Sequence, residues 1–352
     1  MIHNFFPGPA TLPSSVLQQA ANDLVDFQGK GVSIASISHR APIIEDILAQ
    51  TNQMIRDLYH LPDHFEILWL PGGASTQLQI APLNLCNSTD SIGFYHTGFW
   101  ADRAMEAAKN SNPIQILGSA EDQNFGYIPD SSHIPENLAY LHIVSNETID
   151  GIQYHDFPQT SVPIVADMTS DFLSKPLDFD KFGLIFASAQ KNFGIAGITC
   201  LLVNTKLIGN KDRNIPLIHS YENQIKENSL YHTIPTFPLY VAHLMIQWIK
   251  DQGGLLEMQR RNQYKSNLLY QEIERNEFLE TWISKDSRSE LNVCFKAINK
   301  EIEEDLLTYL SKNNIMGIKG FPTKGGFRAS MYNGMDVSSA EYLVDLLKNY
   351  SK

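Results

Sequence analysis

The chain is poor in cysteine. Its 352 residues include three, Cys86, Cys200 and Cys294, an odd number set far apart among apolar neighbours. That excludes a disulfide framework or a cysteine zinc site and predicts reduced core thiols. Positive charge is also short: 27 Lys and Arg against 39 Asp and Glu leave a net charge of −12, whereas a nucleic-acid binder carries a basic footprint. No apolar run approaches the ~20 residues of a membrane span. The opening MIHNFFPGPATLP lacks the basic segment and apolar core of a signal peptide. No repeat or low-complexity segment interrupts the chain. A cytoplasmic globular protein with neither nucleic-acid nor membrane partners is expected. A small anionic substrate stays open, because a few local donors hold such an anion whatever the net charge.

What is present is an ordinary globular composition, 43% hydrophobic and 19% charged, long enough for two domains. Strand and helix patterns alternate from about residue 14 to 235, which predicts an α/β fold with a mostly parallel sheet covered on both faces. Residues 1–13, rich in Pro and Gly, read as an irregular arm. Residues 14–252 form the expected large domain and 253–352 a smaller α+β domain, reached through a long helix after Gly254. In the large domain Ser14 or Ser15 offers an N-cap to the first helix. A second helix carries its apolar positions over 43–58.

The chain is organised around residues 163–203. Two β-branched, apolar runs end there in Asp167 and just before Gln190 and Lys191. In an open α/β sheet, ligands gather at the carboxyl ends of the strands, so both charges are expected at a site. The sequence PGGAST, between a strand and a helix beginning at about Ser75 or Thr76, suits an anion: glycine allows close backbone approach, and the helix start presents free N–H groups. Trp100 opens another helix, and Thr148 lies in the polar turn SNETIDG. Lysine, acid, anion-binding helix start and aromatic ring together match the needs of pyridoxal phosphate. Its aldehyde takes an amine, its ring nitrogen takes a carboxylate, and its ring takes a flat apolar neighbour.

Over essentially its whole length the sequence resembles the phosphoserine aminotransferase family, of the class-V, fold-type I pyridoxal-phosphate enzymes. The resemblance is carried by NFFPGPATLP, ISHR, GGASTQ, APLNL, GFWA, NETIDG, ADMTSDFLSKP, FGLIFASAQKNFGIAG, YHTIPTF and GGFRASMYN. It implies a homodimer with active sites shared between subunits. It also implies transfer of the amino group of L-glutamate to 3-phosphohydroxypyruvate, giving O-phospho-L-serine for serine biosynthesis. A second family activity, on a phosphorylated oxo-threonate in pyridoxine synthesis, is implied with it. Position by position, Lys191 corresponds to the Schiff-base lysine and Asp167 to the partner of the pyridine nitrogen. Trp100 corresponds to the stacking ring, and Thr148 to the neighbour of the phenolic oxygen. Ala74, Ser75 and Gln190 correspond to phosphate contacts, joined by His232 and Thr233 of the other subunit. Arg328 corresponds to the α-carboxylate partner, and His39 with Arg40 to the partners of the distal acid.

The chain departs from the family pattern in the same region. Gly320, Phe321 and Pro322 stand where a Gly-His-Arg segment is usual, Glu290 where an Arg is usual, His232 for an Asn and Pro7 for a Ser. The first two changes remove positive charge, and each charge-assisted bond lost to a dianion is worth about 1.5–3 kcal/mol. Lys324 or Arg288 is a candidate to compensate. An aminotransferase for another acidic, unphosphorylated amino acid is therefore a rival reading. Cysteine desulfuration needs a reactive thiol and finds none among three apolar-flanked cysteines. A binding protein without turnover is opposed by the presence of both Lys191 and Asp167.

Overall fold

The computed structural model describes residues 2–209 and 211–351; Met1, Asn210 and Lys352 of the expected arm and domains lie outside the described residues. In chain order the elements are β1 (His3–Asn4), α1 (Ser14–Val25), α2 (Pro42–Tyr59), β2 (Phe65–Pro71), α3 (Ala74–Leu85), β3 (Ser91–His96), α4 (Phe99–Ala108) and β4 (Ile114–Ser119). Next come β5 (Leu138–Val144), the pair β6 (Asn146–Glu147) and β7 (Ile152–Gln153), β8 (Ile164–Asp167), β9 (Phe182–Ser188), β10 (Ile198–Asn204), α5 (Tyr221–Lys226), α6 (Thr236–Asp251) and α7 (Gly254–Arg275). The chain closes with β11 (Leu279–Glu280), β12 (Asn292–Ala297), α8 (Lys300–Lys312), β13 (Ile315–Met316), β14 (Phe327–Ser330) and α9 (Val337–Asn349).

The main sheet has seven strands in the order β2-β10-β9-β8-β5-β3-β4, and all but β10 run the same way. Period-two alternation sorts its side chains. Ile164, Ala166, Ile185 and Cys200 join the core under α1, α2 and α6, while Val165, Leu184, Phe186 and Leu201 join the core under α3 and α4. Both faces are covered, so β8 and β9 are buried at every position. The mostly parallel α/β sheet expected from sequence is present.

A separate core packs α7, α8 and α9 against the three-stranded sheet β11-β12-β14. Phe5, from the amino-terminal arm, is fully buried in that core. The arm is thus not irregular throughout: β1 pairs in parallel with β13, His3 opposite Ile315. The expectation failed because a two-residue strand carries no periodicity and takes its hydrogen bonds from a distant partner. Neither Ser14 nor Ser15 caps α1. Pro13 holds the cap position without a side-chain bond, and Ser14 is already helical.

Candidate active site

The parallel arrangement brings the carboxyl ends of β2, β3, β5, β8 and β9 to one edge. A cavity of about 120 Å³ opens there, lined by Gly73, Ala74, Ser75, Trp100, Val144, Asn146, Asp167, Thr169, Ser170, Gln190 and Lys191. Six residues singled out from sequence, Ala74, Ser75, Trp100, Asp167, Gln190 and Lys191, therefore meet. A larger groove of about 650 Å³ lies elsewhere, between the end of α2 and the start of α7. Its charged lining is Asp57, Asp178, Asp180 and His60, with no amine to serve as nucleophile.

Lys191 follows β9 and faces the cavity. Its amine donates to Thr148 Oγ1 at 3.3 Å and stands 5.1 Å from the centre of the Trp100 ring. Burial lowers its pKa to about 8; the charge of Asp167 opposes that shift, and Arg328 adds to it. Asp167 ends β8 and accepts the backbone N–H of Thr169 at 2.9 Å. Burial raises its pKa, while the Thr169 hydrogen bonds and the charge of Lys191 pull it back toward the ionised form.

Helix α3 begins at Ala74 behind an extended Gly73 that offers no side-chain cap. Ser75, expected at or near the helix start, is the second helical residue. The first N–H groups of the helix are left facing the cavity mouth. On the other flank, Gly8 of the arm lies so close to Lys191 that a Cβ there would stand 3.2 Å from its Cγ. Ala10 N–H donates to Gln190 O at 2.9 Å.

Helix α4 starts on two buried carboxylates from the turn after β5. Glu147 accepts N–H bonds from Trp100 at 3.0 Å and Ala101 at 2.8 Å, and Asp150 accepts from Phe99 at 3.0 Å. Burial raises the pKa of both. Gly98 is required at the approach, because a Cβ there would overlap the Asp150 carboxylate. With its backbone fixed, Trp100 donates Nε1–H to Thr148 Oγ1 at 3.1 Å. Thr148 itself is buried, and its carbonyl accepts Arg328 Nη1 at 3.1 Å. Arg328 Nε and Gln190 Oε1 are buried without a hydrogen-bond partner.

His39, Arg40, His232 and Thr233 do not line this cavity. His39 lies in a turn before α2, with Nε2 buried and unpartnered. Burial and the nearby charges of Arg40 and His232 lower its pKa, so these residues share one region of the surface.

The structure also shows what the departures do. Phe321 packs on Phe99, with ring centres 5.3 Å apart. Lys324 pairs with Asp150 at 2.7 Å. Arg288 is committed to Glu274 at 2.7 Å and lies over the Tyr270 ring. Glu290 accepts a bond from Gln263 at 3.0 Å. Cys86, Cys200 and Cys294 are buried free thiols, as expected, and burial raises the pKa of each, to about 12 for Cys86 and Cys294. Sequence reasoning missed Asn146, Thr169 and Ser170, which line the cavity, and the capping roles of Glu147 and Asp150. The available signal was two acids, Glu147 and Asp150, in the turn directly before the Gly151 that follows β5.

The model of the family described as Aminotransferase class-V matches residues 2–343. The chain is 38% identical over 352 residues to a phosphoserine aminotransferase of Bacillus anthracis, covering 99% of this chain and 98% of that protein. It is 39% identical over 354 residues to one of Desulfatibacillum aliphaticivorans, covering 100% and 98%. Among solved structures it is similar to phosphoserine aminotransferase from Bacillus circulans subsp. alkalophilus, with a TM-score of 0.96, 36% identity and coverage of 99% and 98%. A pyridoxal-phosphate-bound phosphoserine aminotransferase from Trichomonas vaginalis gives a TM-score of 0.94 at 29% identity, with coverage of 99% and 100%. The chain belongs to the class-V aminotransferases, in the phosphoserine aminotransferase family.

Proposed function

We propose that this chain transfers the amino group of L-glutamate to 3-phosphohydroxypyruvate, forming 2-oxoglutarate and O-phospho-L-serine in two half-reactions at one pyridoxal 5'-phosphate site. The observation that carries the reading is the meeting of Lys191 and Asp167 in one cavity, the amine shifted by burial toward its neutral form. The uncapped start of α3, whose first N–H groups are free to donate, fits a phosphorylated cofactor. When bound, that cofactor supplies an electron sink for the negative charge formed at the substrate Cα.

In this reading Lys191 would hold the cofactor aldehyde until the substrate amine displaces it, and its freed Nζ would then move the proton between the substrate Cα and the cofactor C4′. Asp167 would keep the ring nitrogen protonated. Trp100 would stack on the ring, and Thr148 would lie near its phenolic oxygen. Ala74, Ser75 and Gln190 hold the phosphate with His232 and Thr233 of a second copy. Arg328 takes the substrate α-carboxylate, and its unpartnered Nε supports that role. His39 and Arg40 of the second copy meet the distal acid, which makes the working unit a homodimer. His39 Nε2, buried and without a hydrogen-bond partner in the single chain, supports an inter-subunit role. The reading places this homodimer in the cytoplasm. Among the described residues no helix is long and apolar enough to cross a membrane.

A second reading, an aminotransferase for an unphosphorylated acidic amino acid, is favoured by one observation. The residues near the expected phosphate-facing loop are engaged with protein: Phe321 with Phe99, Lys324 with Asp150 and Glu290 with Gln263. Steady-state kcat/KM for phosphoserine against a panel of acidic amino donors separates the two. Clear preference for phosphoserine establishes the first; preference for an unphosphorylated donor other than L-glutamate, which the first reading already uses, establishes the second.

A further inference from the structure

The loop 320–326 lies just before Arg328 in the chain. It is a closed turn: Gly320 N–H donates to Gly326 O at 2.8 Å, and the N–H groups of Lys324 and Gly325 each donate to Phe321 O at 2.9 Å. Its one cation, Lys324, points away from solvent. Nζ is 2.7 Å from Asp150 Oδ1, with the two side chains 14% and 0% exposed, and it also donates to Asn124 O at 3.3 Å and Asn124 Oδ1 at 3.0 Å.

Two residues before Asp150, the carbonyl of Thr148 accepts Arg328 Nη1. The segment 148–150 and the segment 324–328 are therefore joined at two points, one through Arg328 and one through Lys324. Phe321 adds apolar contact to Phe99, whose ring meets Trp100 edge to face at 5.2 Å between centres. A guanidinium that must meet a carboxylate with paired bonds depends on a fixed direction. The second tie supplies it from outside the cavity.

We propose that Lys324 is a positioning residue for the α-carboxylate subsite: by pairing with Asp150 it fixes the loop 320–326 to the turn that carries Thr148, and so fixes the direction of Arg328. The loop thus contributes geometry where a positively charged loop would contribute binding charge. The inference rests on the reading of Arg328 as the α-carboxylate partner.

The test uses the full-length, cofactor-loaded enzyme. Because Arg328 binds the carboxylate alike in ground state and transition state, Lys324→Met should raise KM for glutamate and for phosphoserine about tenfold, with kcat changed less than about twofold. In the cofactor-free protein, amide hydrogen exchange over 318–328 should speed up. Lys324→Arg should recover most of the lost KM. The double variant Asp150→Asn/Lys324→Met leaves no unpaired buried carboxylate, so it separates the tie from the burial of charge. Its KM should stay raised. Unchanged KM in Lys324→Met while Arg328→Gln raises it overturns the positioning role alone. A double variant with wild-type KM overturns it too, because a bare Asp150 would then be the whole cause. Unchanged KM in Arg328→Gln overturns the reading of Arg328 and this inference together.

Discussion

The amine of Lys191 stands 5.1 Å from the centre of the Trp100 indole, and both side chains donate to one oxygen, Thr148 Oγ1. That hydroxyl sets the spacing between the nucleophile and the ring face where the cofactor is proposed to lie. Removing it frees both donors at once.

Thr148→Val should weaken pyridoxal-phosphate binding by about 0.5–1.5 kcal/mol, the net worth of the hydrogen bond its hydroxyl would make to the cofactor's phenolic oxygen. Titration of the cofactor-free protein, followed by Trp fluorescence, measures this. Thr148→Ser keeps the oxygen and should stay near wild type. Equal affinity for Val and Ser variants would rule the hydroxyl out.

Burial holds the Lys191 pKa at about 8, below its ordinary value of 10.5. The neutral amine therefore prevails above about pH 8, and the rate at which cofactor-free enzyme recombines with pyridoxal phosphate should rise through pH 8 and then level. A rate still climbing steeply at pH 9.5, roughly a unit below the ordinary value, would contradict a shifted lysine. The same shift has a sign for stability: between about pH 8 and 10.5 the unfolded chain binds the proton that the folded chain has released, so this contribution rises with pH. Lys191→Ala should remove turnover and the pH 8 step together while leaving far-UV circular dichroism unchanged.

Asp167→Asn keeps an acceptor for the Thr169 N–H but loses the charge. Turnover should fall about 10²–10³-fold, with a larger primary isotope effect on the Cα hydrogen because proton removal becomes more fully rate-limiting. An unchanged isotope-sensitive rate would remove Asp167 from the ring-nitrogen role.

Hybrid dimers test whether sites are shared. Arg40→Ala and Lys191→Ala homodimers should each be nearly inactive. Mixed dimers of the two should regain activity, because one of their sites receives wild-type residues from both chains. No recovery on mixing, with subunit exchange verified by mass, would place Arg40 in its own chain's site.

Lys265 is buried on α7, and its amine donates to the carbonyls of Met331, Tyr332 and Met335 at 2.9, 2.8 and 3.4 Å. Lys265→Met leaves these carbonyls without their donor and should cost about 2–5 kcal/mol of stability. Urea unfolding of the cofactor-free protein reads this directly. A midpoint within error of wild type would show that the carbonyls find other donors.

Parts of this were legible in the sequence for physical reasons. Asp167 ends one apolar strand and Lys191 follows the next, both strands buried on both faces, so pattern alone placed the two residues at one sheet edge. The long helices α2 and α7 announced themselves through apolar spacing. What stayed hidden depends on partners remote in sequence. The β1–β13 pairing has no local signature, and the inward turn of Lys324 is decided by an acid in another segment. The loss of loop charge at Phe321 and Pro322 was visible as a difference in residue type. Its structural counterpart, a loop tied to the start of α4, required coordinates.

The arm that packs Gly8 beside Lys191 is fastened at its other end by His3 opposite Ile315. A chain emerging from the ribosome makes these residues long before their partner strand. The large sheet can form meanwhile, but this wall of the cavity must wait for the carboxyl-terminal core. Assembly thus has a built-in order, in which a competent pocket reports that the core of α7, α8 and α9 has formed.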